Sequence, residues 1–248
     1  MNRRSIIASI GVALVYSAAA YAAPEATTQS AQDKSAEISN KQAYVPPPRG
    51  TTRNRVGGGT RGGVVDAVRL LVLAPDHTGR SSVEQPVVYW YVSRPIATRI
   101  ELTLVDQAKI EPVLELKVNK PQRAGIQAFD LGAHNVRLTP GVEYQWSVAV
   151  VLDAKQRSQD ILASGTMQFD PPAPELAAQV AAASARSRPG IYAGAGYWYD
   201  AIDALNRLIE AAPADRELAD YRRELLTQIG LSEIADAEGV TLSPGGAH

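Results

Sequence analysis

The hydrophobic period of this chain changes once, and that change limits its fold more than any other feature. From Val64 to Phe169 the apolar residues read as strands. From Pro174 onward they recur at spacings of three and four, which is the period of a helix. In the first region Ile100, Leu102 and Leu104 lie on one face, with Glu101 and Thr103 on the other. Leu114, Leu116 and Val118 alternate in the same way against Glu115 and Lys117, as do Tyr144, Trp146, Val148 and Val150 against their neighbours. Val64–Leu73, Pro86–Ser93, Ile126–Leu131 and Ile161–Phe169 supply four more runs, separated by Gly, Pro, Asp and Asn. About seven short strands so punctuated predict an immunoglobulin-like β-sandwich over 64–170.

Leu138-Thr139-Pro140-Gly141-Val142-Glu143-Tyr144 resembles the tyrosine corner of fibronectin type III and related sandwiches. In that motif a tyrosine hydroxyl bonds back to the preceding backbone. After Asp170-Pro171-Pro172-Ala173-Pro174 a helical subdomain is expected over 171–231, giving α+β overall. Pro174 suits a first helical turn. An Ala-rich helix should run from Glu175 to Arg186 and be interrupted at Pro189-Gly190. A second carries Trp198, Ala201, Ile202, Leu205, Leu208 and Ile209 and stops at Pro213. A third, capped by Asp215, carries Leu218, Tyr221, Leu225 and Ile229 and ends at Gly230. The last two resemble a single tetratricopeptide-like hairpin. One such unit cannot bury its own face, so the hairpin should pack on the preceding helix or on the sandwich. The tail, 232–248, shows no pattern and is expected to be flexible.

The other end carries an address. Arg3 and Arg4, an apolar run from Ile6 to Ala20, and Ala20-Tyr21-Ala22 together have the layout of a secretory signal peptide (1–22). The apolar run is shorter than the ~20 residues of a membrane span, so no transmembrane segment should remain after cleavage. The expected location is periplasmic or secreted. The chain has no cysteine, which removes disulfides, a lipid anchor, thiol catalysis and cysteine metal sites. Its three histidines, His77, His134 and His248, are scattered, a poor basis for a zinc site or a catalytic triad. No catalytic residue, metal or cofactor is therefore expected, and the net charge of −1 gives no field for nucleic acid.

Residues 23–63 read as a disordered linker leading into a Pro/Arg/Gly-rich segment. Arg49 to Gly63 holds four arginines and no acid. Glycine amides together with Arg49, Arg55 and Arg61 could hold a phosphate, a sulfate or an acidic polysaccharide, or the segment is a solvated basic lead-in. Tyr89 and Tyr91 flank Trp90 in a strand. Either Trp90 is core and both tyrosines are exposed to stack on sugar rings, or the reverse holds. Tyr197, Tyr199 and Asp200 form an aromatic, acidic helix start, a candidate contact surface for a partner, and Asp200 shares a face with Asp203. Paired carboxylates do acid–base work only in a cleft that shifts their pKa values.

Several pieces stand out in order along the chain. They are Pro46-Pro47-Pro48-Arg49, Arg55-Val56-Gly57-Gly58-Gly59-Thr60-Arg61-Gly62, Leu70 to Pro75 and Glu84-Gln85-Pro86. Then come Tyr89-Trp90-Tyr91-Val92, Tyr144-Gln145-Trp146, Gly196-Tyr197-Trp198-Tyr199-Asp200-Ala201, Leu225-Leu226 and Gly230-Leu231. From Tyr44 to Leu231 the chain resembles domain of unknown function 928, an exported bacterial family without an established activity. The resemblance implies no catalytic residues. The expected function is a non-enzymatic periplasmic or cell-envelope interaction module with an envelope protein as partner. The rival is a carbohydrate-binding or carbohydrate-processing protein using Tyr89, Tyr91 and the carboxylates.

Overall fold

In the computed structural model, residues 41–48, 55, 68–109 and 111–241 are described. Eight strands precede five helices among them, an α+β arrangement. The strands are β1 (Leu70–Val72), β2 (Gly79–Ser81), β3 (Val87–Val92), β4 (Arg99–Asp106), β5 (Pro112–Val118), β6 (Gly125–Asp130), β7 (Glu143–Val151) and β8 (Ile161–Phe169). One sheet has the order β1-β3-β6 and the other β2-β8-β7-β4-β5. All pairings are antiparallel except β2 with β8, which is parallel.

The alternating segments fold as their period requires. In β4, Ile100, Leu102 and Leu104 are buried, while Glu101 and Thr103 are half-buried on the other face. In β7, Tyr144, Trp146, Val148 and Val150 enter the core, and Trp146 pairs with Leu104 on one side and Gly165 on the other. These residues share one hydrophobic core with Leu70, Val72, Val88 and Val92 of the smaller sheet. Gly165 is needed for that approach. A Cβ there would lie 2.5 Å from the Cβ of Ala74, inside any allowed contact. The Tyr144 hydroxyl accepts a hydrogen bond from the Thr139 N–H at 3.0 Å, as a tyrosine corner requires.

Three features differ from the sequence expectation. The count of strands is eight, not seven, because Gly79-Arg80-Ser81 adds an edge strand to β8. A three-residue strand carries too little pattern to be read from period alone. Second, 41–48 does not behave as a linker. Tyr44 is buried, its N–H donates to Gln228 Oε1 at 2.9 Å, and the Val45 N–H donates to Ala193 O at 3.0 Å. Third, the expected flexible tail contains a helix.

The helices are α1 (Pro174–Ala182), α2 (Arg188–Gly194), α3 (Trp198–Ala211), α4 (Arg216–Gln228) and α5 (Ser232–Thr241). Pro174 opens α1, and Asp215 caps α4 by accepting from the Glu217 and Leu218 N–H groups. Pro189 sits in the first turn of α2 and starts a helix rather than breaking one. α5 lies where no pattern was legible, and Ile234 and Ala235 of it are buried. α3 packs against β2 and β3 as well as α2 and α4, so the helices and sheets share one core.

Candidate functional site

The residues singled out from sequence converge where α3 meets the sheets. Gly196 delivers the helix with φ +81°, and a Cβ there would meet the Val45 carbonyl oxygen at 2.8 Å. Successive helical residues then turn by about 100° each, so four in a row point around most of the axis. All four find protein. The Arg80 guanidinium donates to the Tyr197 hydroxyl at 2.9 Å and stands 4.3 Å from its ring centroid, while pairing with Asp170 at 2.6 Å. Trp198 is wholly buried, and its indole donates to Leu73 O at 2.9 Å. Its ring also meets Tyr44 edge-on at 5.0 Å. The Tyr199 hydroxyl accepts from Trp146 Nε1 at 2.9 Å and donates to Thr166 O at 2.9 Å. Asp200 accepts the Ser82 N–H at 2.8 Å and also the Ser82 hydroxyl. Asp203 accepts from the Tyr89 hydroxyl at 2.8 Å and from Arg207 Nε at 2.9 Å.

Burial governs the electrostatics. It drives the Tyr199 and Tyr89 hydroxyls far above the ordinary phenol range, with the Asp203 charge adding to the rise at Tyr89. It raises the Asp200 carboxyl to about 6, against the lowering effect of the two Ser82 hydrogen bonds. A cleft of about 250 Å³ opens beside this junction, and Gln85, Asp130, Asp200, Asp203 and Arg207 line it. Asp200 can therefore take up a proton in mild acid, while Asp203 is held by Tyr89 and Arg207.

Tyr199→Phe isolates the hydroxyl's contribution. It leaves the indole N–H of Trp146 and the carbonyl of Thr166 buried without this partner. An expected loss of about 1–3 kcal/mol follows. Urea unfolding measures it, and a loss below ~0.5 kcal/mol would mean the relay is not formed.

Tyr89 is only 5% exposed and Tyr91 only 8%. This corrects the expectation that they present a platform to sugar rings. One side of β3 sends Val88, Trp90 and Val92 into the core, and α3 packs on β3 and takes the Tyr89 hydroxyl. Arg55 is likewise turned inward. It donates to Ala74 O at 3.1 Å, Ile229 O at 2.8 Å and Gly230 O at 3.4 Å, tying down carbonyls at the end of α4. Arg49 and Arg61 lie outside the described residues. Among the described residues no group of three or more His, Cys, Asp or Glu is placed to hold a metal ion. Sequence reasoning passed over Arg80 and Ser82, which sit in segments without apolar pattern, and Thr166, which sits in the Ile161–Phe169 run but makes its contact through its backbone carbonyl.

No curated protein matches this chain. Among solved structures it is aligned with a multi-domain immunophilin from Arabidopsis thaliana at 10% identity, over 81% of this chain and 100% of that one. The TM-score of 0.17 is too low to bear on fold or function. The family comparison is of another order: the model of the Domain of Unknown Function family DUF928 matches residues 56–238, from the basic Gly-rich segment through the helix–sheet junction and into α5, and the chain belongs to that family.

Proposed function

We propose that this chain is an exported, non-enzymatic protein of the cell envelope, periplasmic or secreted, that works by binding another protein. Export rests on the signal-like layout of Arg3 to Ala22. Among the described residues no helix is long and apolar enough to cross a membrane. The strand orders β1-β3-β6 and β2-β8-β7-β4-β5, with the Tyr144 corner, support an immunoglobulin-like scaffold. A scaffold alone names no activity. The junction carboxylates Asp200 and Asp203 serve the fold through Ser82, Tyr89 and Arg207.

The observation that carries the protein-binding reading is α1. This nine-residue, Ala-rich helix buries none of its residues. A helix of that length is marginal in water on its own, and most helical stability comes from packing one face. Leu176 and Val180, four apart, share a half-exposed face that a partner's apolar groove would cover. A photo-crosslinking residue placed in turn at Leu176, Val180 and Ala178 tests this in intact cells. The expected result is a discrete adduct with an envelope protein from Leu176 and Val180 and none from Ala178, on the opposite side. Equal labelling at all three, no adduct, or recovery of the protein in the cytosol would overturn the reading.

A further inference from the structure

Both sheets end on an open edge at one margin of the fold: β6 closes the smaller sheet and β5 the larger, opposite the β2 edge that α3 covers. A cleft of about 420 Å³ lies between them, lined by Trp90, Lys117, Asn119, Gln122, Gln127 and His134 among others, with one carboxylate, Asp130, which accepts the Gly132 N–H at 2.7 Å. Trp90 is only 3% exposed, yet its indole Nε1 has no hydrogen-bond partner. The contrast within the molecule is sharp, since the indoles of Trp146 and Trp198 each donate at 2.9 Å. A buried donor without an acceptor is costly, and such a group in a native fold calls for an explanation.

We propose that this cleft binds an acidic oligosaccharide of the uronate type, with a hydroxyl or ring oxygen accepting from Trp90 Nε1 and the carboxylate meeting Lys117 and Lys120. Four features recognise that chemistry. Gln127 stands directly across the ladder from Trp90, and its amide is held only by a 3.3 Å bond to Gly125 O, so it is readily released to a ligand. Asn119 adds an amide that both donates to and accepts from hydroxyls, and Gln122, whose Nε2 donates to Lys120 O at 2.9 Å, adds an accepting amide oxygen. His134 stacks on Phe129 with 4.5 Å between centroids and 7° between planes, which makes an exposed flat wall for a sugar ring. Lys117 forms no ion pair among the described residues, and Lys120 spends one N–H on Ala97 O at 2.8 Å, leaving two. The lining mixes polar side chains with Val118, Pro121, Ala128 and Phe129, and lysine on an edge discourages an added strand. That favours a sugar over an extended peptide. The site is separate from α1 and stands whether or not the protein-binding reading does.

The test is a titration of the mature protein with a short oligogalacturonate, followed through the tryptophan indole N–H resonances. A neutral galactan of equal length and an oligo-aspartate peptide serve as controls. The expected result is a saturable shift of the Trp90 resonance alone, with oligogalacturonate alone. Trp90→Phe should weaken binding about tenfold, and Lys117→Gln should remove the preference for the acidic over the neutral sugar. Lys117 is exposed, so that variant keeps its fold even if Trp90→Phe does not. No shift at Trp90, an equal shift with oligo-aspartate, or an unchanged preference in Lys117→Gln would overturn the proposal.

Discussion

Trp198→Ala is expected to cost about 3–5 kcal/mol, out of the 5–15 kcal/mol that holds a typical domain folded. The ring is wholly buried, so truncation leaves a cavity lined by Tyr44 and the β1 end. It also strands the Leu73 carbonyl, which accepts the indole N–H. Trp198→Phe separates the two effects, because it keeps most of the apolar volume and loses only the donor; its expected cost is about 1 kcal/mol. Urea denaturation of both variants gives the comparison. If Trp198→Ala lost less than ~1 kcal/mol, α3 would not be docked as described.

Asp200→Asn is expected to change how stability varies with pH. The Asp200 carboxyl is raised from 3.8 to about 6, chiefly by burial, with the neighbouring Asp203 charge adding to the rise. The folded state therefore holds this proton more tightly than the unfolded chain does. Its contribution to stability is complete below pH 3.8 and is lost as the pH rises through about 6. Over that window the change is about 3 kcal/mol in favour of the acidic side. Other groups titrate in the opposite sense: Asp215, held by Arg186, has a lowered pKa. The readout is thus the difference between wild type and variant at each pH. The asparagine side chain carries no such proton, so the variant should gain on the wild type by about 2 kcal/mol from pH 4 to pH 7. Parallel stability curves would contradict a buried, partly protonated Asp200.

Much of the fold was legible because period is set by backbone geometry. The alternation of Ile100, Leu102 and Leu104 and of Tyr144, Trp146 and Val148 placed β4 and β7 with the right face inward. Asp215 showed the start of α4, since a carboxylate before a helical stripe satisfies N–H groups that have no partner within the helix. β2 was not legible, because Gly79-Arg80-Ser81 is made a strand by its neighbour β8 and not by its own pattern. α5 was missed because Ser232 to Thr241 shows no apolar stripe at helical spacing.

The junction was misread in an instructive way. Tyr197, Tyr199 and Asp200 looked like a contact surface because aromatic and acidic residues cluster there. Yet Tyr197 to Asp200 spans about 300° of a helix, and residues facing every direction cannot all belong to one exposed face. That arithmetic was available in the sequence and points to an embedded helix start. What it could not give is the identity of the partners. Trp146, Thr166, Ser82 and Arg80 come from distant strands, and only the sheet topology brings them together. The unpaired indole of Trp90 was equally hidden, since a satisfied and an unsatisfied tryptophan look the same in sequence.

The central claim is that the Tyr197–Asp200 run clasps the helices to the sheets, so that both fold as one unit. Native-state hydrogen exchange tests it most directly. The account predicts that the slowest amides of α3 open with the same free energy, and the same dependence on denaturant, as those of β7. Exchange of α3 through a separate, lower-energy opening while β7 stays protected would contradict it.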